Sequence, residues 1–488
     1  MTLTQRIGLF LGPALFLLLL LMPLPEGMPP LAMRVAAVTA LMATWWLMES
    51  LPVAATALLP IALFPLLGVM PTGQVTLAYA DHIIYLFLGG FLIAVAIEKW
   101  GLHQRIALHT IRLVGTSPRR VIFGFMFATA FLSSWVSNTA TAMMMVTIGM
   151  AVLTQMSGVN PARNEQERAR TDFGTALMLG IAYAASIGGV ATLIGTPPNA
   201  ILAGVLEKHY GYQIGFAEWM LFGLPVSLLM LLLAWLYLTR IAFRQHMQGP
   251  GGSDAAISRQ IAALGPMTAQ ERRVLVVFLL VVLAWIGRGL FDLPGLALLA
   301  DASIAMLGAL ALFVIPADWK RGRMLLDWQS AVRIPWDIII LFGGGFALAS
   351  AFAESGLTAW IGTRLTVLQG TGLLLTVLAV ATLVKFLTEV TSNTATASLL
   401  LPVMTGFAMA TDTHPLSLMA AVALSASFAF MLPVATPPNA IVFSSRQVTI
   451  PQMARAGLWL NLLAIVVVTI AVVLFLPLVM DTVTPLVK

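Results

Sequence analysis

Two short runs of neutral polar residues interrupt apolar sequence, and each occurs twice. Ser137-Asn138-Thr139-Ala140-Thr141-Ala142 returns 255 residues later as Ser392-Asn393-Thr394-Ala395-Thr396-Ala397. Thr196-Pro197-Pro198-Asn199-Ala200-Ile201 returns 240 residues later as Thr436-Pro437-Pro438-Asn439-Ala440-Ile441. These residues suit coordination rather than catalysis. Asn138, Thr139, Asn393 and Thr394 supply neutral amide and hydroxyl groups. Thr-Pro-Pro-Asn cannot continue a helix, because two prolines remove N–H donors and the residue before a proline is driven out of the helical region. A helix that restarts after such a break, or after a Ser-Asn-Thr tip, presents free N–H groups and its positive dipole end, an arrangement that binds anions. Two copies give four helix starts that could converge on one anionic ligand. No arginine or lysine lies in any of the four motifs, so bound cations are the natural counter-charge. The carbonyls of Gly195 and Ala435, just before the breaks, and the hydroxyls of Ser133, Ser137 and Thr388 are hard oxygens of the kind a Na⁺ ion accepts.

The elements that must hold these motifs are membrane-spanning. Of 488 residues, 59% are hydrophobic and 9% charged, against about 25% charged in a soluble protein. Apolar runs predict eleven spans, at about 7–23, 31–48, 52–70, 82–99, 174–206, 219–239, 274–290, 298–315, 337–353, 416–444 and 456–480. The first is followed by Pro23-Leu24-Pro25-Glu26 rather than a small-residue cleavage site, so it reads as a span. Segments at about 121–155 and 374–410 are too short to cross twice and are cut by Ser-Asn-Thr, so they read as re-entrant hairpins. An N-terminus in the cytoplasm puts 20 of the 26 basic residues on the inside, leaving Arg34, Lys208, Arg288, Arg364, Lys385 and Lys488 elsewhere. The C-terminus then lies outside.

The pairing extends beyond the motifs. Gly89-Gly90-Phe91 and Gly101-Leu102 match Gly344-Gly345-Phe346 and Gly356-Leu357 at the same offset of 255 residues, and a polar loop around 160–171 accounts for the shorter offset further on. The chain thus divides into an extra N-terminal span (1–30), a first repeat (31–240), a polar Gly-rich cytoplasmic linker (241–273) and a second repeat (274–488). Five spans per repeat turn the second copy upside down, the inverted-topology architecture of many secondary transporters.

Several other chemistries are excluded or set aside. With no cysteine there is no disulfide, thiolate catalysis or cysteine-bound metal, and the six histidines show no metal-binding spacing. A net charge of +6 without a basic cluster on a soluble domain does not predict a nucleic-acid partner. Scattered carboxylates give no catalytic constellation, so no enzyme is expected. Lys385 and Glu389, at i, i+4 on one hairpin arm, are expected to form a local structural pair. Asp81 and Asp337 read as caps at span starts, Met143 to Met145 as packing, and Trp135 as a brace for the first tip.

At the duplicated motifs the chain strongly resembles the divalent anion/sodium symporter family of di- and tricarboxylate and sulfate carriers, over nearly its whole length. The resemblance implies an all-α polytopic homodimer in the bacterial inner membrane, with scaffold and transport domains moving as an elevator and no organic cofactor. It also implies two or more sodium sites: one of Ser133, Ser137, Asn138 and the Gly195 carbonyl, another of Thr388, Thr391, Ser392, Asn393 and the Ala435 carbonyl. Substrate carboxylates would meet Asn138, Thr139, Thr196, Asn393, Thr394 and Thr436, with Pro197 and Pro437 lining the pocket. Sodium-coupled uptake of a C4-dicarboxylate is the leading expectation. Dicarboxylate or tricarboxylate exchange and sodium/sulfate symport are the alternatives.

Overall fold

Where helices break, rather than where they run, sets this architecture. The computed structural model describes residues 1–115, 117–156, 172–243, 253–291, 298–365 and 370–481. Among them, eight helices are long and apolar enough to cross a membrane, including Leu3–Leu21, Pro30–Leu47, Phe216–Ala242, Ala269–Leu290 and Trp336–Glu354. The shortfall from eleven comes from segments that do not run through. The 52–70 segment divides at Leu58 into Val53–Ala57 and Leu59–Leu66, because Pro60 lacks the N–H that would join the two turns. The 174–206 segment becomes Asp172–Gly189 and Pro197–Tyr210, and the 416–444 segment becomes Pro415–Ser427 and Pro437–Ser444.

The two hairpins are Pro118–Ser133 with Asn138–Met156 and Leu373–Leu387 with Asn393–Thr411. The helices preceding them, His82–Lys99 and Trp336–Glu354, both end on a left-handed glycine, Gly101 at φ +72° and Gly356 at φ +78°. A side chain there would be strained. Each glycine starts a shorter helix, Leu102–Val114 or Leu357–Arg364, that leads into the hairpin. The first of these lies in a stretch read from sequence only as basic. It forms because Leu108 and Ile111 fall on one face, where both are buried.

The half-helices before the breaks occupy the centre of the molecule. Every residue from Phe173 to Gly189 and from Pro415 to Ser427 is buried, as expected of helices that are apolar all round. The N-terminal helix is the opposite case. Only Gly8 and Gly12 of Leu3–Leu21 are buried, and they let it approach Trp45, whose Nε1 donates to Gly8 O at 3.1 Å. Leu3, Leu11, Leu17, Leu18 and Leu21 face outward, as lipid contact requires, while Phe16 and Leu19 pack on the core.

Two expectations need correction. The 241–273 linker is not loop throughout: 244–252 lie outside the described residues, but Ser253–Leu264 is helical and a further helix starts at Ala269. Ile257, Ile261 and Leu264 make an apolar stripe at i, i+4, i+7, and Ile257 is fully covered. The fold is also not purely helical. Pro316–Asp318 pairs antiparallel with Arg323–Met324, closed by Asp318, whose carboxylate accepts from the N–H groups of Lys320 and Arg321 at 3.0 and 3.3 Å. The polar loop expected around 160–171, which would account for the change of offset, falls outside the described residues.

Arg105 ties the linker helix to the bundle. Its guanidinium donates to the carbonyls of Leu264, Gly265 and Pro266 at 3.0–3.3 Å and to both oxygens of Glu271 at 2.9 and 3.2 Å. Burial alone would raise the Glu271 pKa. Hydrogen bonds from Arg105 and Thr268 outweigh burial and hold it below the usual carboxylate range. A depressed folded-state pKa gives stability that is complete above the unfolded value, near 4.3, and fades as pH falls through the folded one. Arg105→Ala is therefore expected to cost about 2–3 kcal/mol at neutral pH, since it strands a mostly buried carboxylate. The difference from the parent should shrink below about pH 4. Thermal unfolding of the two proteins at pH 7.5 and pH 4 checks this, and a gap that does not change with pH would contradict it.

Candidate functional site

Each broken segment carries the same internal brace. Thr196 and Thr436, before the prolines, are extended at φ −145° and −144°, as a residue before proline must be. Three residues on, Asn199 and Asn439 are fully buried. Asn199 Nδ2 donates to the carbonyls of Thr192 at 2.8 Å and Gly189 at 3.3 Å. Asn439 Nδ2 donates to those of Leu432 at 3.0 Å and Ala429 at 3.2 Å. These asparagines therefore face inward and hold the unwound carbonyls. The sequence reading gave them no role, although a Pro-Pro break in apolar surroundings demands such donors.

The hairpin tips meet these braces in matched fashion. Ser133 Oγ lies 2.7 Å from Ala185 O and 2.5 Å from the Asn138 amide oxygen. Thr388 Oγ1 lies 2.9 Å from Ala426 O and 2.7 Å from Asn393 Oδ1. The near end of the Asn138 amide also stands 3.2 Å from Gly195 O and 3.3 Å from Ala185 O. A hydroxyl has one proton to give, so the first cluster is a set of oxygens that cannot all bond to one another. Either the amide NH₂ turns inward to donate to them, or a small cation stands among them. The donor set fits Na⁺, since it is hard, neutral and compact.

Not every expected ligand turns toward these cages. The Thr391 hydroxyl donates to Leu387 O at 2.8 Å and shares a 2.7 Å bond with Thr396. One lone pair of that hydroxyl and its backbone carbonyl are left to offer. Ser137 Oγ accepts from Ala140 N at 3.2 Å, capping its half-helix.

In front of the cages lies one cavity of about 1080 Å³. Ser137, Asn138, Thr139, Gly195, Thr196 and Pro197 line it from the first half, and Ser392, Asn393, Thr394, Ala435, Thr436 and Pro437 from the second. Ser133, Thr388 and Thr391 stand behind this wall, buried. All eight residues predicted from sequence to meet substrate thus face a single space. Its charged lining residues, Glu49, Glu98, Arg333 and Asp337, belong to one mouth, near the Lys99 end of His82–Lys99 and the Trp336 end of Trp336–Glu354. Met143 and Met144 also line it, so they are not simply packing. Trp135 stacks on Phe216 at 6.0 Å and meets Phe278 edge-on at 5.2 Å, bracing the first tip.

The two halves differ beside the second tip. Glu389 is buried, and its carboxylate accepts from the N–H groups of Phe430, Met431 and Leu432 at 2.7, 2.9 and 3.3 Å and from Asn461 Nδ2 at 2.7 Å. The Lys385 pair exists at 4.0 Å, with the ammonium 4.5 Å from the Phe430 ring centre. The carboxylate's main work is to satisfy the unwound strand. At the matching position stands Ser134, which donates to Gly188 O at 3.0 Å. One signal was available in the sequence: a carboxylate three residues from a buried tip needs more acceptor work than one lysine provides. Glu389→Ala, which strands three N–H groups and Lys385, is expected to destabilise by about 3–5 kcal/mol, and Glu389→Gln by less because one amide oxygen can still accept. Melting temperatures in detergent would rank them, and equal losses would refute the capping role.

Comparison with known proteins identifies the family. The sequence profile described as "Sodium:sulfate symporter transmembrane region" matches residues 3–481. The chain is 44% identical over 477 residues to the "Sodium-dependent dicarboxylate transporter SdcS" of Staphylococcus saprophyticus, covering 97% of this chain and 92% of that one. To the protein of the same name from Staphylococcus aureus strain USA300 it is 44% identical over 479 residues, covering 98% and 92%. In fold it resembles the Alcanivorax borkumensis YdaH transporter, with a TM-score of 0.55, 14% identity and coverage of 89% of this chain and 97% of that one. It also resembles Neisseria gonorrhoeae MtrF, with a TM-score of 0.58, 14% identity and coverage of 95% and 94%. A profile matched almost end to end, together with relatives at this identity, shows that the chain belongs to the sodium:sulfate symporter family, a family of multi-pass membrane transporters.

Proposed function

We propose that this chain carries a C4-dicarboxylate such as succinate, malate or fumarate across the bacterial inner membrane in symport with sodium. The observation that carries the reading is the matched pair of oxygen cages behind one cavity whose inner wall has no charged side chain. Sodium would be held by Ser133, Ser137, Asn138 and the Gly195 carbonyl, and again by Thr388, Thr391, Ser392, Asn393 and the Ala435 carbonyl. Substrate carboxylates would meet Asn138, Thr139, Thr196, Asn393, Thr394 and Thr436 between Pro197 and Pro437. The name shared by the staphylococcal relatives supports the dicarboxylate.

Coupling follows from Asn138 belonging to both places. Without an ion, its NH₂ end turns toward Ser133, Ala185 and Gly195, which leaves the amide oxygen facing the cavity and repelling an anion. A sodium ion in the cage reverses the amide: oxygen toward the cation, NH₂ toward the substrate. Ion first, dianion second is the order this favours. The larger movement is an elevator in which the hairpins and broken helices (hairpins 121–155 and 374–410, breaks within 174–206 and 416–444) travel as a transport domain against a scaffold, in a homodimer. Eleven spans in two inverted repeats, 31–240 and 274–488, with the N-terminus cytoplasmic and the C-terminus outside, complete the reading. The element pairs at an offset of 255 residues support it.

In proteoliposomes, succinate uptake is expected to require an inward sodium gradient. Uptake that ignores sodium but needs internal dicarboxylate would instead establish exchange. Asn138→Ala and Asn393→Ala should each lower uptake at fixed substrate by about 10- to 100-fold, the loss of a hydrogen bond to a charged group. Thr388→Ala should raise the sodium concentration for half-maximal uptake more than the succinate concentration, and the reverse pattern would remove Thr388 from the cation site.

A further inference from the structure

The central cavity has one closed end, and the groups that close it are charged. The helix His82–Lys99 is 18 residues long, so its ends lie about 27 Å apart. The cavity opens beside Glu98. At the His82 end, Phe87 lines both the central cavity and a separate small one of about 120 Å³, which Leu193, Ala200 and Ala203 also line. Beyond that apolar layer, Lys208 Nζ meets Asp81 Oδ2 at 2.9 Å. His82 stands between two carboxylates, 3.6 Å from Asp81 Oδ1 and 3.5 Å from Glu207 Oε2. Beside them Asp301 accepts from Phe216 N–H at 2.8 Å and from Arg288 at 3.1 Å.

These contacts join elements whose main packing partners differ. The His82–Lys99 helix packs chiefly on Asp301–Val314, whereas Pro197–Tyr210 packs on Asn393–Thr411, Trp336–Glu354 and Pro415–Ser427. Asp81 and Asp301 stand at the starts of the first pair of helices and reach Lys208 on Pro197–Tyr210 and the N–H of Phe216, whose helix packs both on Asp172–Gly189 and on Ala269–Leu290. Both carboxylates are mostly buried, with 9% and 12% of their side chains exposed. The Asp81, His82 and Glu207 trio could hold a metal ion by spacing alone, but the Lys208 ammonium already supplies the positive charge there.

We infer that Asp81–Lys208 and Asp301–Phe216 form a two-point latch that holds the His82 face shut while the opposite mouth is open, and that it must part for the cavity to open to that face. This deepens the transport reading and rests on it for the second open state. A sequence without cysteine gives a clean test. A single Ala203→Cys reporter lines the small cavity beneath the latch, and a membrane-impermeant maleimide is applied to vesicles from the His82 side. With the latch intact, labelling is slow. Asp81→Asn is expected to speed it roughly tenfold, the population shift from losing one partner of the latch, and the charge swap Asp81→Lys with Lys208→Asp should slow it again. Lys208→Met, which keeps the bond from Ile83 N–H to Asp81, carries the test if Asp81→Asn fails to assemble. Labelling unchanged in both single variants, or a swap that does not restore protection, overturns the latch. Sodium-driven succinate uptake on the same vesicles separates the two readings. Responsive labelling without uptake keeps the latch and rejects the substrate assignment, while uptake with indifferent labelling rejects the latch alone.

Discussion

Unwound backbone deep in apolar protein must find partners, and the rest of this structure depends on how that demand is met. Each Thr-Pro-Pro-Asn run frees N–H and C=O groups that would cost several kcal/mol apiece if left bare. Asn199 and Asn439 take the carbonyls, and Glu389 takes three N–H groups. What remains at Gly195 is a carbonyl aimed at the Asn138 amide. The ligand-binding character of the site is what the bracing leaves over.

That logic explains what could be read from sequence and what could not. Prolines, the Ser-Asn-Thr runs and the constant offset are local signals, so hairpins expected at 121–155 and 374–410 have arms spanning 118–156 and 373–411. The eight cavity-lining residues followed from the same motifs. Three features were hidden because long-range contacts decide them. Ser253–Leu264 is stabilised by burial of Ile257 and by Arg105 from a distant helix. Glu389 does pair with Lys385 as their spacing suggests, but its further donors, Phe430 to Leu432, lie 41 to 43 residues away. The Thr391 hydroxyl looked free until the fold supplied Thr396 and Leu387.

The duplication is also imperfect in a way that bears on mechanism. Around the first break, neutral groups do the bracing: Ser134 on Gly188 O, Thr192 on Ser134 O at 2.5 Å, and Trp219 on Val190 O at 3.0 Å. Around the second, a carboxylate does it. A strand held by a charged group accepting four hydrogen bonds is stiffer than one held by single neutral bonds, because charge-assisted bonds are roughly twice as strong. The second cage is therefore the better preformed of the two. The first, whose amide would have to turn over to admit a cation, would then carry more of the rearrangement.

Electrostatics then fixes the order of events at the cavity. A dianion entering a wall of amides, hydroxyls and helix starts gains hydrogen bonds but loses hydration that neutral dipoles replace only in part. On the proposed reading, cations held behind that wall would cancel its charge at close range, where interactions across low-dielectric protein are strong. Placing the positive charge on mobile ions rather than on an arginine matters for turnover. A fixed guanidinium would hold the dianion equally on both faces, whereas a cation that leaves into sodium-poor solution takes its share of the affinity with it. The absence of lysine and arginine from the four motifs, visible in the bare sequence, is thus what allows the solute to be released.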